Sequence, residues 1–135
     1  MQRGIRGAIT VDVNTLEAVK EATIELISEM KKRNNYKEED ISYVLFTMTD
    51  DLDCAYPAKF AREKFKEWQF VPMMCTQELK IIGSLEKCLR ILISCLSLRS
   101  ELIKEDSTGR LSTLVVSPSA HWHNVPSVMC MQIRH

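Results

Sequence analysis

The chain has 135 residues, of which 45% are apolar and 27% are charged, a balance typical of one soluble globular domain. Lysine plus arginine equals aspartate plus glutamate at 18 each, so no net charge favours nucleic acid or an anionic membrane surface. No apolar run approaches the roughly 20 residues that span a bilayer, and residues 1–6 lack the layout of a signal peptide. We therefore expect one cytoplasmic domain.

The first part of the chain has the pattern of a strand followed by a long helix. Residues 4–11 alternate loosely and end in a β-branched run, which predicts a first strand. Asn14 with Glu17 three residues later has the spacing of a helix N-cap and its carboxylate partner. Apolar residues then recur at helical spacing over residues 16–30, and the asparagine pair at 34–35 ends the predicted helix.

The middle of the chain repeats this strand and helix order. Residues 41–49 are β-branched and aromatic, which predicts a second strand. Pro57 suits the first turn of a second helix, which we expect to run to about Trp68. Residues 70–74 are short and apolar, and Pro72 confines such a strand to an edge or a bulge.

The last part of the chain has a weaker pattern. Residues 85–98 fit a helix or a strand equally well by period. A clear turn at 106–109 precedes a predicted last strand at 111–116. The β-α-β-α-β order predicts an α/β or α+β fold in which helices pack on a mixed sheet.

Common catalytic motifs are absent from the sequence. There is no G-x-S-x-G, Walker loop or dinucleotide glycine fingerprint, and every histidine lies in the last fifteen residues. Cations do occur near the predicted strand ends, and planar guanidinium groups suit bidentate capture of carboxylates. We therefore predict a small anionic ligand held by electrostatics, with solvated surface charge as the alternative for any one of these cations. They are Arg3, Arg6, Lys59, Arg62 and Arg90.

The cysteines and the C-terminal histidines raise the question of a metal site. Five cysteines, an odd number without a C-x-x-C pair, argue against a disulfide framework or a zinc ribbon. His121, His123 and Cys130 carry zinc-binding side chains and could bind a metal, but their spacing does not indicate a particular zinc site. We expect no metal site and a partly disordered tail.

Four blocks of the chain resemble the small, β-rich, trimeric class of chorismate mutases. The blocks are RGIRGAIT at 3–10, YPAKFAR at 56–62, WQFVPMMCTQE at 68–78 and GSLEKCLRIL at 83–92. They are similar to the family's R-G-I-R-G-A-T-T, F-P-A-K-x-x-R, W-x-x-V-P-x-x-C-x-Q-E and G-x-L-x-x-C-I-R-V-L. Their order and spacing also agree with the family, and the match covers about residues 3–93.

The resemblance implies a chemistry that needs no cofactor. The family performs the intramolecular Claisen rearrangement of chorismate to prephenate in aromatic amino-acid biosynthesis, holding the dicarboxylate in its reactive shape and stabilising charge at the ether oxygen. It implies catalytic roles for Arg90, at the ether oxygen, and for Glu78, at the ring hydroxyl, with Arg6 at a substrate carboxylate. The other substrate-binding positions that it implies are Tyr56, Ala58, Lys59, Arg62, Met73, Met74, Cys75, Thr76 and Gln77.

The resemblance also implies an architecture. It favours an α+β fold with helices on one face of a mixed sheet, and a homotrimer that forms a pseudo-α/β barrel with sites between subunits. Residues 87–93 then form a strand. We expect one domain over 1–135, with a mutase-like core at 1–93 and a divergent tail at 94–135.

Beyond residue 93 the family's tyrosine-bearing strand and L-R-P-D segment are missing. A reading-frame slip near residues 93–100 and a replaced tail both explain this loss. It leaves two functional alternatives to a working mutase. One is an impaired mutase-like trimer that binds an anionic metabolite, and the other is a structural trimer whose tail recruits a partner.

Overall fold

The computed structural model describes residues 3–34, 36–96 and 113–116 of the chain. These residues form five strands and two α-helices, with short 3-10 helices at Glu38–Asp40 and Lys66–Trp68. The elements are β1 (Arg3–Thr10), α1 (Leu16–Asn34), β2 (Ile41–Met48), α2 (Pro57–Lys64), β3 (Met73–Gln77), β4 (Cys88–Cys95) and β5 (Thr113–Val116).

The five strands form one mixed sheet in the order β3-β2-β4-β1-β5. The central strand β4 runs antiparallel to both β1 and β2. The outer strands β3 and β5 run parallel to β2 and β1 respectively. The predicted α+β fold with a mixed sheet is confirmed, and the third strand lies at an edge as Pro72 indicated.

Both helices cover the same face of this sheet. Gly7, Ile91, Phe46 and Cys75 are paired in one row across β1, β4, β2 and β3, so their side-chain positions share a face. A Cβ atom at Gly7 would lie 2.7 Å from a side-chain atom of α1, which places α1 directly over this row. At the other end of the row, Cys75 contacts the backbone of α2. We call this the helix-covered face.

The hydrophobic core lies between the helices and that face. The helical period predicted for residues 16–30 is confirmed, because one side of α1 is buried against the sheet. The large, fully buried side chains include Trp68 and Tyr36, which close the core near the second helix and the end of the first. The buried positions of α1 are Val19, Ala22, Thr23, Leu26, Ile27 and Met30.

Two predicted element boundaries near the helices are wrong. Asn14 does not cap α1; instead the Thr15 hydroxyl accepts a hydrogen bond from the backbone N–H of Ala18 at 3.3 Å. The Asn14 amide donates to Asp53 at 2.6 Å, so a tertiary contact takes it away from the helix. The second helix ends at Lys64 and not near Trp68, because the backbone of Phe65 is extended and separates the helix from the 3-10 helix that follows.

The predicted third strand is also displaced. It begins at Met73 rather than Phe70, and the Phe70 side chain is 90% exposed. Pro72 has no N–H to give, but its carbonyl oxygen accepts from the N–H of Val44 at 2.9 Å and so starts the pairing of β3 with β2. The strand then continues to Gln77.

The C-terminal predictions have mixed outcomes. The ambiguous stretch at 85–98 contains strand β4, which begins one residue later than the resemblance implied. Strand β5 lies inside the predicted last strand at 111–116. The histidines, Cys130 and most of the tail lie outside the described residues. Within the described part of the chain, no helix is long and apolar enough to cross a membrane.

Candidate active site

The candidate site lies on the side of the sheet opposite the helices, which we call the open face. A second row of paired residues there joins Ala8, Arg90, Thr47 and Thr76 across β1, β4, β2 and β3. The row is one residue from the helix-covered row, so strand alternation turns its side chains to the opposite side. The positions of the open face near the site are Arg6, Ala8, Leu45, Thr47, Arg90 and Leu92.

An ion pair between Arg90 and Glu78 forms the centre of the site. Nη1 of Arg90 donates to Oε2 of Glu78. The two side chains are only 11% and 10% exposed, so this pair is almost removed from solvent within a single chain. The backbone N–H of Glu78 donates to the carbonyl oxygen of Met48 at 2.8 Å. This bond extends the β2–β3 pairing by one residue and fixes the backbone position of Glu78. The sequence-predicted catalytic residues Arg90 and Glu78 are therefore brought together.

Thr47 completes the environment of the Glu78 carboxylate. Its hydroxyl donates to Oε1 at 2.7 Å, while Arg90 occupies Oε2. The Thr47 side chain is buried. A short hydrogen bond to an ionised acceptor is among the strong ones, so Thr47 holds the carboxylate in one orientation. Sequence analysis missed this residue, because a hydroxyl is not distinctive in a strand that also contains Ser42 and Tyr43.

Arg6 adds a second guanidinium group to the same face. It is paired with Leu92, two residues beyond Arg90 on β4, so Arg6 and Arg90 are diagonal neighbours. Diagonal neighbours across an antiparallel pair are about 7–8 Å apart, within reach of long side chains. Two such cations on one face can bind a small ligand that carries more than one negative or partially negative oxygen. Thr76 and Met74 share this face, and Met74 is 66% exposed.

Three of the predicted binding residues on β3 point the other way. Met73, Cys75 and Gln77 alternate with the open-face positions and so lie on the helix-covered side. Met73 and Cys75 pack against the core. Burial raises the pKa of the Cys75 thiol, as expected for a thiol away from water. Their roles at the substrate stay predictions, and within one chain the sheet separates them from Arg90.

The predicted residues around α2 are likewise on the helix side of the sheet. Ala58 packs against the core, whereas Tyr56, at the helix N-terminus, is exposed. The ammonium of Lys59 lies 4.0 Å from the carboxylate of Glu63, and Arg62 is exposed. A single chain therefore does not place these four side chains on the face that carries Arg90.

No resident metal is indicated by the described residues. Across residues 3–34 and 36–96, histidine, cysteine, aspartate and glutamate side chains form no group of three that could hold a metal ion. The four cysteines of this part of the chain are free thiols. The site is instead built from two guanidinium groups, a carboxylate and hydroxyls, which can bind and polarise an anionic ligand.

Comparisons with known proteins agree with this arrangement. The family model for chorismate mutase type I matches residues 2–106, which extends past residue 93, where the sequence motifs ended. The chorismate mutase AroH of Bacillus subtilis (strain 168) is 40% identical over 94 residues, covering 70% of this chain and 73% of that protein. The chorismate mutase AroH of Thermus thermophilus is 42% identical over 93 residues, covering 68% and 75%.

A solved structure, chorismate mutase from Clostridium thermocellum, is similar with a TM-score of 0.71 and 34% sequence identity. The match covers 86% of this chain and 96% of that one. The sheet order, the four motif blocks and these matches lead to one conclusion: the chain belongs to the chorismate mutase type I family.

Proposed function

We propose that the chain is an isomerase that converts chorismate to prephenate, with the charge of Arg90 acting at the ether oxygen. The observation that carries this proposal is the nearly buried Arg90–Glu78 pair on the open face, next to Arg6. The relatives and the solved structure that the chain resembles are chorismate mutases, which supports turnover over binding alone. The alternative of an impaired binding protein is therefore not favoured.

The reaction breaks one C–O bond and forms one C–C bond inside a single substrate, so no proton has to be moved. Arg6 binds a substrate carboxylate and helps to hold the reactive conformer. Arg90 donates to the ether oxygen, where negative charge builds in the transition state. Glu78 meets the ring hydroxyl and orients the Arg90 guanidinium. Since the Arg90 and Glu78 side chains are only 11% and 10% exposed, their charges act more strongly than they would in bulk solvent.

We also infer a homotrimer with shared sites. The observation that supports this inference is exposed apolar surface on the open face of the sheet. In the described part of the chain the helices cover only one face, and Tyr43 and Met74 on the other are 45% and 66% exposed. Neighbouring copies of the chain on the open face would cover these side chains. A stable monomer in sedimentation experiments at micromolar concentration would contradict the shared site.

The cellular setting follows from the proposed reaction. Chorismate rearrangement belongs to aromatic amino-acid biosynthesis, which we place in the cytoplasm. Free thiols at Cys54, Cys75, Cys88 and Cys95 support a reducing compartment.

The experiment that tests the proposed function compares three proteins by the loss of chorismate absorbance. They are the parent chain, Arg90→Ala, and Arg33→Ala as a matched control on α1, where the guanidinium contacts Glu29. Loss of one preorganised donor typically costs about 3–4 kcal/mol, so we expect kcat of Arg90→Ala to fall by roughly two to three decades. Arg33→Ala should keep the parent rate. A parent without turnover, or an Arg90→Ala rate within about threefold of the parent, would contradict the proposal.

A further inference from the structure

The residue before β4 has a backbone conformation that needs support. Lys87 has φ of 45°, in the left-handed region that residues with a Cβ atom disfavour. Both of its peptide groups are held. Its N–H donates to the two carboxylate oxygens of Asp51 at 3.0 and 2.9 Å, and its carbonyl oxygen accepts from the N–H of Val11 at 2.7 Å.

The next residue is held from the same loop. The N–H of Cys88 donates to the Thr49 hydroxyl at 2.9 Å, and the Thr49 N–H donates back to the Cys88 carbonyl oxygen at 3.1 Å. The Thr49 hydroxyl in turn donates to the Asp51 carboxylate. Asp51 is thus the acceptor that joins the loop after β2 to the start of β4.

The charge state of Asp51 suits this role. Desolvation acts to raise the pKa of this carboxyl, but hydrogen bonds from the Thr49 hydroxyl and the Lys87 backbone outweigh it and bring the pKa below its usual value. The group is therefore ionised at neutral pH and accepts these hydrogen bonds as a carboxylate.

Arg90 lies only two residues after Cys88, the last residue of this held segment. A slip of one residue at the start of β4 would turn Arg90 to the helix-covered face, away from Glu78. Glu78, which Thr47 holds, fixes the guanidinium end of Arg90, whereas Asp51 holds the backbone of Lys87 shortly before Arg90 on the chain. We propose that Asp51 is a positioning residue, which sets the orientation of Arg90 for the proposed reaction without touching the substrate. The catalytic part of this inference rests on the proposed function.

The kinetic test uses Asp51→Ala and Asp51→Asn, with Asp53→Asn as the matched control. Asp53 lies on the same loop and contacts Asn14, so the control removes one charge without touching Lys87. A displacement of about 1 Å at a reacting group can cost about a hundredfold, so we expect kcat of Asp51→Ala to fall roughly ten- to a hundredfold. KM should change less than about threefold, because the ground-state contacts remain. Asp51→Asn keeps one acceptor oxygen and should lose less, and Asp53→Asn should match the parent.

A double-mutant cycle separates positioning from general damage. In an Arg90→Ala background there is no guanidinium to orient, so Asp51→Ala should change the residual kcat by less than about twofold. An equal loss of kcat in both backgrounds would overturn the positioning role. So would an unchanged kcat for Asp51→Ala alone.

A measurement on the folded protein makes the result independent of turnover. We expect the Nε–H resonance of Arg90 to shift in Asp51→Ala and in Asp51→Asn, and the amide of Lys87 to exchange at least about tenfold faster. Neither should change in Asp53→Asn. A shifted resonance in a protein without mutase activity would refute the proposed function and leave the positioning in place. An unshifted resonance in an active protein would refute the positioning alone. If Asp51→Ala does not fold, Asp51→Asn carries both measurements.

Discussion

Replacing Thr47 by valine removes one hydroxyl from the site and keeps the β-branched shape of the side chain. In the parent that hydroxyl donates to Oε1 of Glu78 at 2.7 Å from a buried position. After the change, Oε1 loses this donor while Oε2 still accepts from Arg90. The Glu78 carboxylate is then free to rotate, and the guanidinium that it orients moves with it.

The size of the effect follows from the kind of hydrogen bond lost. A hydrogen bond to a charged group contributes about 1.5–3 kcal/mol. If this loss falls entirely on the transition state, the rate drops by roughly ten- to a hundredfold, since about 1.4 kcal/mol corresponds to a factor of ten. We therefore expect kcat/KM of Thr47→Val to fall at least about tenfold.

The assay follows chorismate absorbance for the parent, Thr47→Val and Thr23→Val. Thr23 is a suitable control because it is also buried, but its hydroxyl donates to the carbonyl oxygen of Val19 inside α1. Thr23→Val removes the same hydroxyl far from the site and should leave kcat/KM near the parent value. If kcat/KM of Thr47→Val stays within about twofold of the parent, Thr47 does not hold Glu78 for catalysis.

Three further predictions test packing, substrate binding and thiol reactivity. Gly7→Ala should lower the free energy of unfolding in urea by about 1–3 kcal/mol, because its Cβ would lie 2.7 Å from the buried Met30 sulfur of α1. Gly4→Ala should cost less, because its nearest contact is 3.5 Å; equal losses would contradict the close approach. Arg6→Ala should raise KM more than it lowers kcat, because a carboxylate contact exists in both ground and transition states; the opposite split would reassign Arg6. Burial raises the pKa of Cys88 to about 11, so this thiol stays protonated until the pH approaches that value, while Cys54 is exposed. At about pH 8 a maleimide should label Cys54 before Cys88, as peptide mass spectrometry would show, and early labelling of Cys88 would contradict its burial.

The fold was largely predictable because its signals are local. The helical period of α1 and the β-branched run of β2 can each be read within a short window of sequence. The wrong boundary at Phe70 has a physical cause, since an apolar pair before Pro72 resembles a strand even where Phe70 is exposed. The cap at Thr15 was missed because its neighbour Asn14 has the same capping chemistry and only the contact with Asp53 separates them.

Residue chemistry predicted the arginines and an anionic ligand, and the family motifs predicted which of these residues act together. Arg90 and Glu78 were identified by the motif blocks, and the structure joins them. Thr47 and Asp51 could not be predicted, because their roles depend on the register between strands that are distant in sequence. The face on which Met73 lies could not be predicted for the same reason, because a shift of one residue in the strand register would move it to the other face.

The most direct test of the central claim replaces Arg90 by citrulline, which keeps the shape of the side chain and removes its positive charge. The rate is followed by chorismate absorbance, with the identity of prephenate checked by NMR. A cation that acts on charge in the transition state predicts a fall in kcat of at least about a hundredfold, with a much smaller change in KM. A citrulline protein whose kcat stays within about threefold of the parent would contradict the role of the Arg90 charge at the ether oxygen.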